Sequence, residues 1–280
     1  MTQPVSRRRF IGVAALAGAG VAVTTRRAPA DTPPAPASAT PAPASATPAL
    51  YGGFPRVDLA VIEKFVGLSH RDPVEVRKMV EAQPSLARAS WDWGFGDWET
   101  GLGAASHMGI REIALLVLSH GAHPTIFSAT MLGQLDVVKA FVTASPGIQR
   151  TPGPHGLTLL HHARVGGKDA EPVLAYLTSL GDADTRTATQ PLEAADRDAV
   201  VGRYVFGSGE QDYFDIDVQT DKLGIQRPGD TRRFLMHTGN LVFFPSGVPS
   251  VRIAFARASG GVSQMTIADP EVYLTAKRQA

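Results

Sequence analysis

The sequence predicts an α + β protein with the two kinds of structure in separate domains: an all-α repeat solenoid, then an antiparallel β-meander curled into a small barrel. Three observations predict it. A helix–turn–helix pattern recurs between residues 56 and 184. Short alternating runs separated by Gly-, Pro- and Asn-containing turns fill residues 192–279. The apolar spacing changes from three and four to two near Val200. With 44% hydrophobic and 19% charged residues in a chain of 280, a packed core is feasible.

The first thirty residues read as an address. Ser6-Arg7-Arg8-Arg9-Phe10-Ile11 resembles the twin-arginine export motif, with Arg7, Arg8 and Phe10 as its signal residues. The weakly apolar run Ile11–Val23 is shorter than the roughly 20 residues that a bilayer span needs. Ala28-Pro29-Ala30 offers the small-x-small pattern of signal peptidase, so cleavage is expected after Ala30. The resemblance implies a periplasmic or extracellular workplace and no stable membrane span after cleavage. Of 27 Lys and Arg, five precede Ala30; the 22 that remain face 26 Asp and Glu, so the mature chain sits at about −4. That is no footprint for nucleic acid, whose binders carry clustered positive charge. With no cysteine, thiolate metal sites and disulfides are excluded.

Residues 31–52 form a Pro/Ala-rich linker, in which Pro34-Ala35-Pro36-Ala37-Ser38-Ala39-Thr40 is repeated from Pro41 to Thr47. Alternating proline denies both helix and sheet bonding, so this segment is expected to be extended.

Between residues 56 and 184 about four units follow one another. Ala105-Ser106-His107-Met108-Gly109, Ala129-Thr130-Met131-Leu132-Gly133 and Ala163-Arg164-Val165-Gly166-Gly167 each end a short helix and precede an amphipathic one. Asp72-Pro73 caps an earlier, degenerate unit. These units resemble ankyrin repeats: the T-P-L-H-x-A signature stands as Thr158-Leu159-Leu160-His161-His162-Ala163, and more loosely at Thr100–Ala105 and Pro124–Ala129. Gly96-Asp97-Trp98-Glu99-Thr100 and Gly153-Pro154-His155-Gly156 also resemble stretches of bacterial ankyrin-repeat proteins of unassigned function. The resemblance implies a stack that binds other proteins on a concave face, with its loops projecting as fingers.

From Val200 onward eight runs read as strands, beginning with Val201–Phe206 and Tyr213–Val218 and ending with Val262–Ile267 and Val272–Ala276. Gly202-Arg203-Tyr204-Val205-Phe206 and Val251-Arg252-Ile253-Ala254-Phe255 resemble the lipocalin-like domain appended to exported serine hydrolases. The catalytic motifs of such enzymes, S-x-x-K and G-x-S-x-G, are absent from this sequence.

Candidate partner-binding residues follow from these readings. Trp91, Trp93, Phe95 and Trp98 crowd into eight residues where a finger would project, with Glu99 beside them. Pro154 and His155 occupy a second expected finger tip, where the flanking Gly and Pro set a tight turn that would leave the imidazole exposed. No metal site is expected: His161 fills the ankyrin signature position, and His107 and His120 sit on a helix face or end, so no ligand set converges. Asp215 and Asp217 share a strand face and read as edge-protecting charges rather than an acid–base pair. The expectation is therefore an exported, non-enzymatic binding protein without cofactor, whose partner is another periplasmic or envelope protein. The alternatives are a hydrolase or small-molecule binder with a site between the two domains, or an inhibitor of an envelope enzyme.

Overall fold

The computed structural model describes residues 56–259 and 261–279. The export motif, the cleavage site and the Pro/Ala linker lie outside the described residues. Helices α1 (Leu59–Leu68) and α2 (Pro73–Ala82) come first, followed by a short hairpin of β1 (Ser90–Asp92) and β2 (Trp98–Thr100). Three helical pairs follow: α3 (Gly101–Met108) with α4 (Arg111–Ser119), α5 (Ile126–Met131) with α6 (Leu135–Ala144), and α7 (Leu159–Val165) with α8 (Glu171–Leu180). Helix α9 (Ala194–Val200) leads into eight strands. No helix among the described residues is long and apolar enough to cross a membrane.

Threonine starts the first helix of each pair. Thr100, Thr125 and Thr158 accept from the backbone N–H three residues on, and Thr125 forms a full capping box with Ser128. Asp72 does the same for α2, where Pro73 stands at the first turn and loses no intrahelical bond. The pairs are closed by glycines in the left-handed region at points of close approach. A Cβ on Gly109 (φ 72°) would run into the carbonyl oxygen of Val165, and one on Gly133 (φ 76°) into that of Asp169. Gly133→Ala is therefore expected to cost about 2 kcal/mol or more, from left-handed strain plus the clash. Gly181→Ala (φ 79°), where the added methyl meets open space, isolates the strain. Thermal unfolding by circular dichroism should rank Gly133→Ala clearly below Gly181→Ala; equal midpoints would mean that the helix–turn contact gives way freely.

Strands β3 (Gly202–Val205), β4 (Tyr213–Gln219), β5 (Lys222–Gln226), β6 (Arg233–Gly239), β7 (Val242–Pro245), β8 (Arg252–Ala258), β9 (Gly261–Ala268) and β10 (Val272–Arg278) pair antiparallel in chain order. β10 returns to pair with β3 and closes the barrel. The eight runs expected as strands are these eight. Their inward residues, among them Tyr204, Ile216, Ile225, Phe243, Ile253 and Met265, fill the interior, so the barrel is a packed core and not a channel. Two-residue turns at Thr220-Asp221 and Asn240-Leu241 run through positive φ, matching the twist of the strands they join.

Two expectations are corrected. The chain does not form an ankyrin-repeat solenoid followed by a separate β domain. In a solenoid the fingers project into solvent; here the β1–β2 hairpin and the turn at 154–156 fold against the barrel. Arg233, at the start of β6, donates to the Trp93 carbonyl and to the Asp97 carboxylate. The Gly156 backbone packs on that of Gly247. Asp215 and Asp217 do not guard an edge, because closure leaves the barrel none. Asp215 accepts two bonds from Arg203, its cross-strand neighbour on β3, and Asp217 accepts from Arg232.

Candidate metal centre

Four side chains from four separate segments meet beside this junction. His70 follows α1, Glu99 lies on β2, His107 is in the last turn of α3, and His155 stands in the short turn Pro154–Gly156. Local chemistry sets each in place. Asp92 accepts from the Gly94 N–H, and Gly94, Phe95 and Gly96 all take positive φ, which folds the hairpin loop tightly. Glu99 then pairs with Trp91 across the hairpin. His155 has φ 58°, a left-handed conformation rare for a non-glycine residue, and its backbone N–H donates to Asp97 Oδ1 at 2.9 Å.

Glu99 is the hub and is only 1% exposed. Its Oε2 accepts from Trp93 Nε1 at 2.8 Å and lies 3.2 Å from His70 Nε2 and 3.3 Å from His155 Nε2. Its Oε1 lies 2.9 Å from His107 Nε2, yet neither of these two buried atoms makes a hydrogen bond. The contact is close but misaligned.

The outer nitrogens of two of the three histidines are spoken for. His70 Nδ1 donates to the Val66 carbonyl at 3.0 Å, and His155 Nδ1 to Asp97 Oδ2 at 2.7 Å. Asp97 is in turn fixed by Arg233 Nη2 at 2.6 Å. This is the outer shell that metal-binding histidines use: a carbonyl or carboxylate takes the Nδ1 proton and turns the Nε2 lone pair inward. One ligand atom from each of His70, Glu99, His107 and His155 lies within 4.8 Å of every other. Tetrahedral donors about 2.1 Å from zinc stand roughly 3.4 Å apart, so small adjustments would close the set on one ion. Three imidazoles and a carboxylate suit zinc, cobalt, nickel, iron or manganese rather than thiolate-seeking ions.

Burial alone would raise the Glu99 carboxyl, but His107, His155 and His70 outweigh it and hold it far below the usual carboxylate range. Burial likewise opposes charge on His155, yet Asp97 and Glu99 push it up to about 9. Asp97 is lowered by His155 and Arg233 against the cost of its burial. His162, outside the cluster, goes the other way: burial drives it down to about 4.

Of the residues expected to bind a partner, the structure brings Trp93, Glu99 and His155 together. It scatters the rest. Trp91 packs half-buried on the helical core, Phe95 stacks on Phe214 of the barrel at 6.3 Å, and Trp98 remains 61% exposed. The Pro154 ring lies beside Gly103. His155 does not project from a finger tip; the left-handed turn carries its imidazole inward. The sequence reading missed His70, His107, Asp97 and Arg233. Positions 70, 99, 107 and 155 follow no short spacing, and the one available hint was two acids, Asp97 and Glu99, among tryptophans. His161 bonds the last turn of α3: Nε2 donates to the His107 carbonyl at 2.8 Å, steadying a ligand-bearing turn. Neither a protein-family model nor any curated protein sequence matches the chain.

Proposed function

We propose that this protein binds one divalent transition-metal ion of the zinc class through His70, Glu99, His107 and His155. One observation carries the reading: four separate segments bring one ligand atom each from His70, Glu99, His107 and His155 within 4.8 Å of one another. Four protein donors complete a tetrahedral shell and leave no position for a substrate, which is the arrangement of a structural site. The ion would tie the end of α1, the β1–β2 hairpin, α3 and the 154–156 turn together beside the barrel. The Arg7-Arg8 motif supports placing this work after export. The protein-contact reading rested on an aromatic finger; with Trp91, Trp93 and Phe95 turned inward, the exposed Trp98 is what still supports it.

The test is a cobalt titration of chain stripped by chelator and desalted. The expected result is visible d–d absorption of tetrahedral intensity that saturates at one equivalent and is displaced by zinc. No absorption, together with no zinc retained on desalting, would leave a buried ion-pair network and end the metal reading.

A further inference from the structure

A cleft opens where the helical part meets the barrel, enclosing about 770 Å³. That lies within the usual range for small-molecule sites. Two guanidiniums, Arg150 and Arg186, line it, and no carboxylate does. Their acidic partners hold them from outside the lining. Asp182 accepts from Arg150 Nη1 at 2.9 Å and is itself fixed by Gln149 Nε2 at 3.0 Å. Asp184 accepts from Arg186 Nη2 at 3.3 Å and is fixed by the Thr158 hydroxyl at 2.6 Å. A guanidinium has five N–H donors, so each arginine is oriented by its acid with donors to spare. The hydroxyl of Ser250 adds a polar contact, and Met236 and Phe244 supply an apolar wall.

We propose that this cleft binds a small organic anion, a carboxylate or phosphate ester with an apolar body, its charged end on Arg150 and Arg186 and its body against Met236 and Phe244. The proposal stands on the cleft and not on the metal, although His155 lines the cleft and belongs to the metal cluster.

Calorimetric titration of the full chain with benzoate and with phenyl phosphate tests it, with benzyl alcohol as the neutral control. Each titration is run on zinc-loaded and on chelator-treated protein. The expected result is saturable one-to-one binding of at least one anion, weakened about tenfold or more in Arg150→Gln/Arg186→Gln. Both arginines are exposed, and that variant should unfold at the native temperature. Binding in both metal states supports the cleft alone; binding only in the loaded state supports it and makes the ion part of the site. Saturation by neither anion, equal binding of the alcohol, or undiminished binding by the double variant overturns it. The cobalt titration judges the metal reading separately, so either can fail without the other.

Discussion

Glu99→Gln should remove most of the zinc-dependent stabilisation and weaken zinc binding at least about 100-fold, the largest effect expected of any single change in this chain. Glutamine keeps the shape of the side chain and one acceptor for Trp93, but removes the anion on which three imidazoles converge. An ion that binds only the folded state adds about 4 kcal/mol when present at a thousand times its Kd. In a folded part of this size that raises the unfolding midpoint by roughly 10 °C. Native protein should show that rise with zinc, and Glu99→Gln, left at ten times its weakened Kd or less, no more than about a third of it. The variant should also lose about 2–4 kcal/mol without metal, because His155 and its neighbours lose a buried counter-charge. If zinc raised both midpoints equally, the ion would be bound elsewhere; if it raised neither, the cluster would be an ion-pair network.

Arg233→Met comes second. Arg233 is 8% exposed and its guanidinium makes four bonds: two to the Trp93 carbonyl, one to the Ser246 carbonyl, and one to Asp97 Oδ2 at 2.6 Å. Methionine fills much of the volume but leaves buried Asp97 with His155 as its one charged partner, and breaking one side of a buried pair costs up to about 3–5 kcal/mol. Urea unfolding should show that loss, and Asp97→Asn/Arg233→Met should recover part of it because both charges of the pair are then removed together. Zinc affinity should fall about tenfold in Arg233→Met through looser orientation of His155, well short of the Glu99→Gln effect. A loss under about 1 kcal/mol would mean that water already reaches the pair.

The barrel was legible strand by strand, because half-buried strands alternate and their turns demand Gly, Asn or Asp. Lys222–Gln226 lies where its pattern put it. One helix start was legible for the same local reason: Asp72 caps the helix it precedes. What failed was the inference from a local repeat to an open solenoid. Whether a loop projects or folds back depends on its distant partners, and Asp97 meets its own at Arg233, 136 residues later. Gly153-Pro154-His155-Gly156 did signal a tight turn, but nothing local says on which side of it the imidazole lies. The ligand set was hidden for the same reason. Its members come from a helix end, a strand, a helix and a turn, and only packing brings them together.

The described part has three apolar cores: one around α1–α4, one around α5–α8, and one inside the barrel. Separate cores are natural units of partial unfolding, each able to open at its own free-energy cost. Among the described residues before position 190, Phe95 is the one apolar side chain packed into the barrel's core. Its ring sits at the tip of the hairpin whose base holds Trp93, Asp97 and Glu99. All-or-none melting of helices and barrel together would therefore hang on the hairpin loop and the 154–156 turn, not on a broad apolar interface.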